Sequence, residues 1–266
     1  FDIQSEISTQ ITGALKATLS EGEWDRVHVI PTENIEAYRL FVSGRQNLHQ
    51  RLFSTIQNAR TQFQQAIEID PNYADAYVGL ADSIMLLNIN HNSIPADEAV
   101  SLAQQAVDKA LEINPSHPDA FATQGLIYTH QSKTDPQARA KAEESFKLAL
   151  KLNPSNARAW MWYSSLVDEN GDLERALEYN LKSRTLDPIG RIPYLNIGKL
   201  LSALGRNEEA SVEFAKGVEL HPNWPSIHMA MSSHLLRLGR LDEAIAWAYA
   251  AESLDEGPHR DLSSIG

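Results

Sequence analysis

The sequence predicts an all-helical protein made of a stack of similar helix hairpins, and a repeated spacing is the first observation that predicts it. A pair formed by Asp, Asn or His and a following proline recurs at five places that are separated by 44, 39, 34 and 34 residues. The prolines are Pro71, Pro115, Pro154, Pro188 and Pro222. A period of this length is typical of repeat architectures in which each unit covers the apolar face of the next.

Two further positions keep the same frame. Five residues before each proline lies a small residue, and twelve residues before it lies an alanine. The small residues are Ala66, Ala110, Ala149, Ser183 and Gly217, and the alanines are Ala59, Ala103, Ala142, Ala176 and Ala210. Small side chains at fixed places allow neighbouring helices to approach closely. Three positions in one register therefore indicate a true repeat.

The residue types between these marks predict two helices in each unit. The segments 173–186 and 207–220 carry apolar side chains at i, i+3, i+4 and i+7, which is the spacing of one helix face. Gly171, Gly205 and Gly239 are 34 residues apart and suit the left-handed residue that ends a helix. The prolines suit a helix boundary, because proline has no backbone N–H to donate.

The frame resembles the tetratricopeptide repeat family. The family's pattern is visible in one unit at Tyr194, Ile197, Gly198, Leu201, Ala210, Phe214, Gly217 and Pro222. The resemblance implies a right-handed superhelical solenoid of about six helix hairpins over residues 37–256. The units are 37–73, 74–117, 118–156, 157–190, 191–224 and 225–256, with an N-terminal helix and linker at 1–36 and a tail at 257–266.

Two units are longer than the basic period, by 10 and 5 residues. We expect the extra residues at 88–98 and 131–137, as loops between the paired helices. Such loops either touch a partner or reflect loop growth that costs little.

Residues 2–20 place Ile3, Ile7, Ile11, Leu15 and Leu19 at steps of four, which predicts an amphipathic N-terminal helix. This helix is either a cap on the first unit or the end of an upstream domain. Because the chain begins with Phe1, we expect it to be part of a longer protein.

The segments IPTENIEAYRLFVSGRQNL and ARTQFQQAIEIDPNYADAYVGLAD resemble the junction of bacterial signalling proteins that join a TolB-like domain to C-terminal tetratricopeptide repeats. That resemblance implies an upstream winged-helix DNA-binding domain or nucleotide cyclase, commonly followed by one membrane span. The chain would then be a sensory or scaffolding part on the periplasmic side of the inner membrane. Without this context the expected location is the cytoplasm.

Composition restricts the partners. The net charge of −12 leaves no cationic field for nucleic acid or an anionic membrane surface. No apolar run approaches the ~18–20 residues that span a bilayer, so membrane insertion of this region is not expected. The absence of cysteine excludes disulfides and thiolate sites. We therefore expect a protein or peptide partner.

Catalytic patterns such as a phosphate-binding loop, a dinucleotide glycine motif or a nucleophile elbow are missing from the sequence. His221 and His228 are two helical turns apart, but His221 precedes Pro222, and a metal site there is not expected. The sequence predicts no enzyme, no cofactor and no metal.

The resemblance implies a binding groove lined by the first helix of each unit. Carried over residue by residue, the groove positions are Arg45, His49, Asp82, Met85, Thr123, His130, Arg158, Met161, Trp162, Ser165, Asp168, Asn196, Lys199, Met229, Ser233 and Arg237.

Trp162, with Met161 and Met229, is either an adaptable apolar anchor for a peptide or a packing residue. Asn196 and Lys199 alone match the carboxylate clamp of chaperone-binding members, so a chaperone clamp is not predicted.

The last predicted helix is apolar on nearly all sides, through Trp247, Tyr249 and their neighbours. Terminal units normally need a polar outer face. Either the tail folds back over this helix or another chain covers it, and we expect homodimerisation through Trp247 and Tyr249.

Three functions remain open: a protein-interaction module, a sensory domain that binds a ligand and controls a linked output, and a self-assembly module.

Overall fold

The computed structural model describes residues 31–132 and 135–254, and within these ranges every element of regular structure is an α-helix. The helices are α1 (Ile35–Gln50), α2 (Phe53–Ile69), α3 (Ala74–His91), α4 (Ala96–Ile113), α5 (Pro118–Gln131), α6 (Pro136–Leu152), α7 (Ala157–Asp168), α8 (Leu173–Leu186), α9 (Arg191–Ala203), α10 (Asn207–Leu220), α11 (Pro225–Arg237) and α12 (Leu241–Leu254). The predicted all-α solenoid is confirmed.

The twelve helices form six hairpins that stack in chain order. Each odd-numbered helix packs on the even-numbered helix that follows it, and each hairpin packs on the next. First helices also contact first helices across units, as in α1 with α3, α3 with α5, α5 with α7, and α9 with α11. Elements that touch across units lie on the inner side of a curved stack. The first helices therefore form the inner surface, as the resemblance implies.

Phenylalanine rings placed against glycines set the closest helix approaches. A Cβ atom added to Gly198 would lie 2.5 Å from the Phe214 ring, and one added to Gly125 would lie 2.6 Å from the Phe146 ring. The fully buried Phe63 contacts a glycine on each side of it, in α1 and in α3. Because these positions have no Cβ, the two helices come closer than any other residue would allow.

Hydrogen bonds replace this contact in the fourth and sixth units. The hydroxyl of Ser164 on α7 donates to the carbonyl oxygen of Ala176 on α8 at 2.9 Å. The Asn180 side chain donates to the Ser164 hydroxyl. In the last unit the hydroxyl of Ser232 donates to the carbonyl oxygen of Ala244 at 2.7 Å. Both serines therefore satisfy their polar groups while keeping the helices close.

The predicted helix ends are confirmed at three equivalent glycines. Gly171 has φ of +78°, and Gly205 and Gly239 have φ of +76°. A left-handed residue lets the chain reverse into the second helix, and glycine adopts it without steric cost.

The connection between the paired helices of the second unit lies within the predicted segment 88–98, but the loop is shorter than predicted. The inserted residues extend the helices on both sides, so that α3 and α4 have 18 residues each, whereas the helices of the last three units have 12 to 14. The connection is reduced to residues 92–95, which begin at Asn92 in a left-handed conformation. The buried side chains of Leu86 and Leu87 explain this, because they extend the apolar face of α3 by another turn.

The second insertion, predicted at 131–137, forms a short connection between α5 and α6, part of which lies outside the described ranges. The predicted N-terminal helix at 2–20 and the tail at 257–266 also lie outside the described residues. Among the helices that are described, none is long and apolar enough to cross a membrane.

Candidate functional site

The centre of the inner surface is an ion-pair network that joins three units. Arg158 on α7 forms ion pairs with Asp82 on α3 and with Asp119 on α5, the latter at 3.1 Å. The hydroxyl of Thr123 donates to Asp82 at 2.7 Å. The side chain of Asn156 donates to Asp119 at 2.7 Å. One guanidinium thus connects carboxylates on two preceding units.

Burial and charge act in opposite directions on the carboxylates of this network. Burial raises the pKa of Asp82, and Arg158 and the Thr123 hydroxyl offset that rise only in part. Burial also acts to raise the pKa of Asp119, but Arg158 and Arg45 outweigh it and lower that pKa to about 2. The ionised form of Asp119 is therefore favoured in the folded chain.

The first and fifth units add further cations to the inner surface. Burial lowers the pKa of Arg45, and the charge of Arg158 lowers it further. Burial lowers the pKa of Arg51 to about 10, with contributions from Arg158, Arg191 and Arg45. Burial likewise lowers the pKa of Lys199 on α9, against the opposing charge of Asp168. The arginines at the end of α1 thus repel one another and Arg158, and Arg51 remains charged at neutral pH.

The stack curves until its first and fifth units touch. A guanidinium nitrogen of Arg191, the first residue of α9, donates to the backbone carbonyl of Gln50 at the end of α1 at 2.7 Å. The Arg191 side chain also lies over the ring of Trp224, 5.6 Å from its centroid. Residues that are 141 positions apart in sequence are therefore in contact.

Next to this contact lies a cavity of about 880 Å³. One wall comes from the end of α1 and the start of α2, and the opposite wall comes from α11 and α12. Its volume falls within the roughly 300–1,000 Å³ of ligand sites in proteins.

Five predicted groove residues are buried and not available to a partner in this structure. Asp82, Met85 and Thr123 have no exposed surface, while Met161 and Trp162 are 7% and 5% exposed. Trp162 packs in the core, with the Arg158 guanidinium 4.8 Å from its ring centroid. Of the two alternatives for Trp162 and Met161, their burial in this structure favours packing over a peptide anchor.

The other predicted groove residues have accessible surface. Those that are exposed are His49, Asp168, Lys199, Met229, Ser233 and Arg237. Those that are half-buried are Arg45, His130, Arg158, Ser165 and Asn196. Lys199, Met229, Ser233 and Arg237 line the cavity together, so the structure brings four of the sixteen predicted residues to one place.

The last helix is only partly bare. Trp247 is half-buried, packs against the core and stacks near His228, with ring centroids 5.3 Å apart. The start of α11 therefore covers part of Trp247, and homodimerisation through Trp247 and Tyr249 stays a prediction. Tyr249 is 68% exposed and Ile245 54%, and both line the cavity.

Sequence reasoning missed several inner-surface residues. Asp75 and Asp119 occupy the same second position of the first helix as Arg158, so the motif could have identified them. Arg191 is the first residue of α9, one position earlier, and no groove position of the motif points to it. Arg51 lies in the connection of the first unit and Phe53 begins α2, and no motif position points from either of them to the cavity.

The histidines near α11 serve the packing. His234 is buried between the hydroxyls of Ser202 and Ser211, each 2.9 Å away. A ring nitrogen of His228 lies 2.7 Å from the carbonyl oxygen of Pro222. Within residues 31–132 and 135–254, no three His, Asp or Glu side chains are grouped in a way that could hold a metal ion.

Helix hairpins in one register, with a glycine on the first helix and an aromatic residue on the second, define an α-solenoid of tetratricopeptide repeats. The family model for tetratricopeptide repeats matches residues 137–188 and 195–260. These two segments of the chain are therefore tetratricopeptide repeats. A tetratricopeptide repeat protein of Thermus thermophilus has a similar solved structure, with a TM-score of 0.61 and 17% identity over 75% of this chain and 99% of that one.

Three curated relatives share part of the chain. PilF, a type IV pilus assembly protein of Pseudomonas aeruginosa, is 28% identical over 51% of the chain and 52% of its own length. Putative adenylate cyclase 3 of Rhizobium meliloti is 30% identical over 53% of the chain and 24% of its length. The transcriptional regulator HilA of Salmonella paratyphi A is 24% identical over 69% of the chain and 32% of its own length. The chain thus spans about half the length of these relatives or less.

We predict that Asp119→Asn lowers the free energy of unfolding by about 2 kcal/mol at pH 7, because it removes the charge that Arg158 stabilises and keeps the amide hydrogen bond. A carboxylate with a lowered pKa stabilises the fold above its unfolded pKa of about 4, and that contribution is lost as the pH falls towards 2. Denaturant unfolding at pH 7, 5 and 3 should show the difference between variant and wild type shrinking as the pH falls. A constant difference would contradict the ion-pair origin.

Glu178→Gln is the matched control. It also removes one carboxylate charge, but from the exposed pair between Glu178 and Lys182 on α8. We expect a change below about 0.5 kcal/mol at every pH, because water screens exposed pairs.

Proposed function

We propose that this chain is a non-catalytic interaction module that binds a protein or peptide segment on the inner surface of its solenoid. One observation carries the proposal. The structure gathers exposed side chains from distant units around one cavity, with Lys199, Met229 and Arg237 among them. A concave surface on which apolar and charged side chains lie side by side can surround an extended peptide segment, whereas a flat surface contacts only one side of it.

The state of the ionisable groups supports a binding role over catalysis. Asp82, Asp119 and Arg158 are engaged with one another across three units, so their perturbed pKa values have a structural cause. His234 is held between two hydroxyls in the core. These groups stabilise the stack and leave no acid or base directed towards the cavity from that network.

We further propose that the module is part of a larger bacterial signalling or regulatory protein. An adenylate cyclase and a transcriptional regulator are among the proteins that share its sequence over a part of their length. In this arrangement the solenoid senses or docks a partner and a linked domain gives the output. A sensory domain that binds a small ligand is the alternative, and the cavity is the observation that favours it.

The triple variant His49→Glu, Asp168→Lys and Lys199→Glu tests binding on the inner surface. All three side chains are exposed, so the fold should be retained. We expect cross-linked pull-down from a lysate of the source organism to recover a reproducible set of proteins with wild type and to lose it with the variant, because charges that meet the partner are reversed.

A variant on the second helices is the control for this experiment. Gln105→Glu, Lys147→Glu and Glu178→Lys also change three exposed positions and also lower the net charge by one. Recovery should equal that of wild type. Equal losses from both variants, or no loss from either, would contradict binding on the inner surface.

Self-association is a second candidate function, which we propose on the exposed stripe of α12. Leu241, Ile245 and Tyr249 are four residues apart, more than half exposed and therefore on one face of the helix. An isologous contact between two such faces would bury all six side chains in a dimer.

Analytical ultracentrifugation at micromolar concentration tests this second candidate. If self-association is the function, the wild type forms a dimer, and Tyr249→Ser dissociates it because the substitution removes a large apolar side chain from the contact. Val212→Ser, at a half-exposed apolar position on α10, should leave the dimer intact. A monomeric mass for the wild type would end the self-association proposal.

A further inference from the structure

The cavity belongs to two ends of the chain and not to a single unit. Leu52, which precedes α2, and Phe53, the first residue of α2, lie on one side, and Met229, Ile245 and Tyr249 from the last unit lie on the other. The contact between Arg191 and Gln50 holds the two ends together beside it. The site therefore exists only when the whole stack is curved, and no single repeat contains it.

The charge of the cavity is opposite to that of the protein. Arg51, Lys199 and Arg237 line it, against the single carboxylate of Glu252. Among the residues that the structure describes, no Asp or Glu forms an ion pair with any of these three cations. In a chain with a net charge of −12, most cations could find a carboxylate nearby. An excess of cations in one cavity thus favours an anionic occupant.

The backbone of Arg51, which lines the cavity, is strained. It ends α1 in the left-handed conformation, with φ of 58°, where glycine or asparagine would be more usual. Burial lowers the pKa of its guanidinium, so the charged form is held at a cost. Strained, desolvated residues cluster at functional sites, where a ligand recovers part of the cost.

The remaining wall is apolar. Met229 is 49% exposed, Ile245 and Tyr249 are more exposed still, and the side chain of Phe53 lies across from them. An inorganic anion would pair with the cations and leave this wall in contact with water. A segment with both carboxylates and a large apolar side chain would use both parts of the cavity.

We infer that the cavity binds a short peptide segment of a partner protein in which acidic residues flank an aromatic or large aliphatic residue. The carboxylates would pair with Arg51, Lys199 and Arg237, and the apolar side chain would lie between Phe53 and Tyr249. This inference rests on the proposed interaction function and specifies the chemistry of the partner. A free copy of the chain would present its own Tyr249 stripe to the same place, so dimerisation and peptide binding exclude each other here.

The test is a selection from a phage-displayed library of random heptapeptides against the full chain. We expect enriched peptides to combine two or more acidic residues with an aromatic or large aliphatic one. Arg51→Asn, Lys199→Gln and Arg237→Gln should each weaken the binding of the enriched peptides about tenfold, as the loss of one charge-assisted contact does. Asparagine is chosen at position 51 because it tolerates the left-handed conformation.

Two controls accompany the selection. Lys147→Gln removes one exposed cation from the second helix α6, where it pairs with Glu143, and it should leave binding unchanged. Higher salt should weaken peptide binding by the wild type more than peptide binding by the three cavity variants, because each variant lacks one of the charges that salt screens.

Three results would overturn the inference. The first is enrichment of basic or uncharged peptides, and the second is acidic peptides whose binding ignores the three cation variants. In either case the inner-surface pull-down could still succeed, so the proposed function would stand without this cavity. The third is a dimer that Tyr249→Ser dissociates, because the second copy would then occupy the site. Acidic-aromatic peptides that depend on Arg51, Lys199 and Arg237 would support the inference.

Discussion

The contact between a phenylalanine ring and a glycine backbone sets the geometry on which this structure depends. Phe63, Phe146 and Phe214 lie on glycines that a single added carbon would push away. These contacts, and the serine hydrogen bonds that replace them in the fourth and sixth units, hold the two helices of a hairpin close together, because interiors tolerate neither voids nor overlaps. A repeat protein is stable only through such interfaces between neighbours. The inner surface is a consequence of this packing.

Because the stack is curved, the charged side chains at the centre of the inner surface have different surroundings from those where its ends approach. At the centre, Arg158 forms ion pairs with carboxylates of two earlier units, so these charges are engaged with one another. Where the ends approach, Arg51, Lys199 and Arg237 lack such ion pairs among the described residues and surround a cavity. Charges that serve stability and charges that can meet a ligand are thus separated along one surface. This separation supports binding at the closed end of the stack rather than along its whole length.

Much of the fold could be predicted from residue spacing, and the reasons are local. Gly171, Gly205 and Gly239 predict the turns because only a left-handed residue fits there, and the structure has them so. The form of the extra residues in the second unit was not predictable, because 88–98 contains Asn and Pro, which favour a loop. The buried Leu86 and Leu87, just before this segment, extend α3 as far as His91. The groove positions were less predictable still. Motif position fixes which face a residue occupies, but whether Trp162 is exposed depends on the side chains of its neighbours.

The cavity could not be predicted from the sequence at all, because it depends on the summed curvature of six units. Arg51 lies in a connection with no repeat position, and Ile245 and Tyr249 looked like an uncovered end. Only the path of the whole chain brings them within reach of one another. Small differences in packing at each of the five junctions between units add up along the stack. The contact between the first and fifth units depends on all of these differences together, so the spacing of residues within one unit does not predict it.

The most direct test of this account is the distance between the two walls of the cavity. Ser54 and Ser226 are exposed and lie on opposite walls, and the chain has no cysteine, so Ser54→Cys with Ser226→Cys allows two spin labels without other changes. Six units in a straight line, at about 10 Å for each helix layer, would separate the labels by roughly 50 Å. Double electron–electron resonance should give one narrow distance below about half of that. A broad distribution, or a distance near the straight-stack value, would contradict the closed curve and the cavity with it.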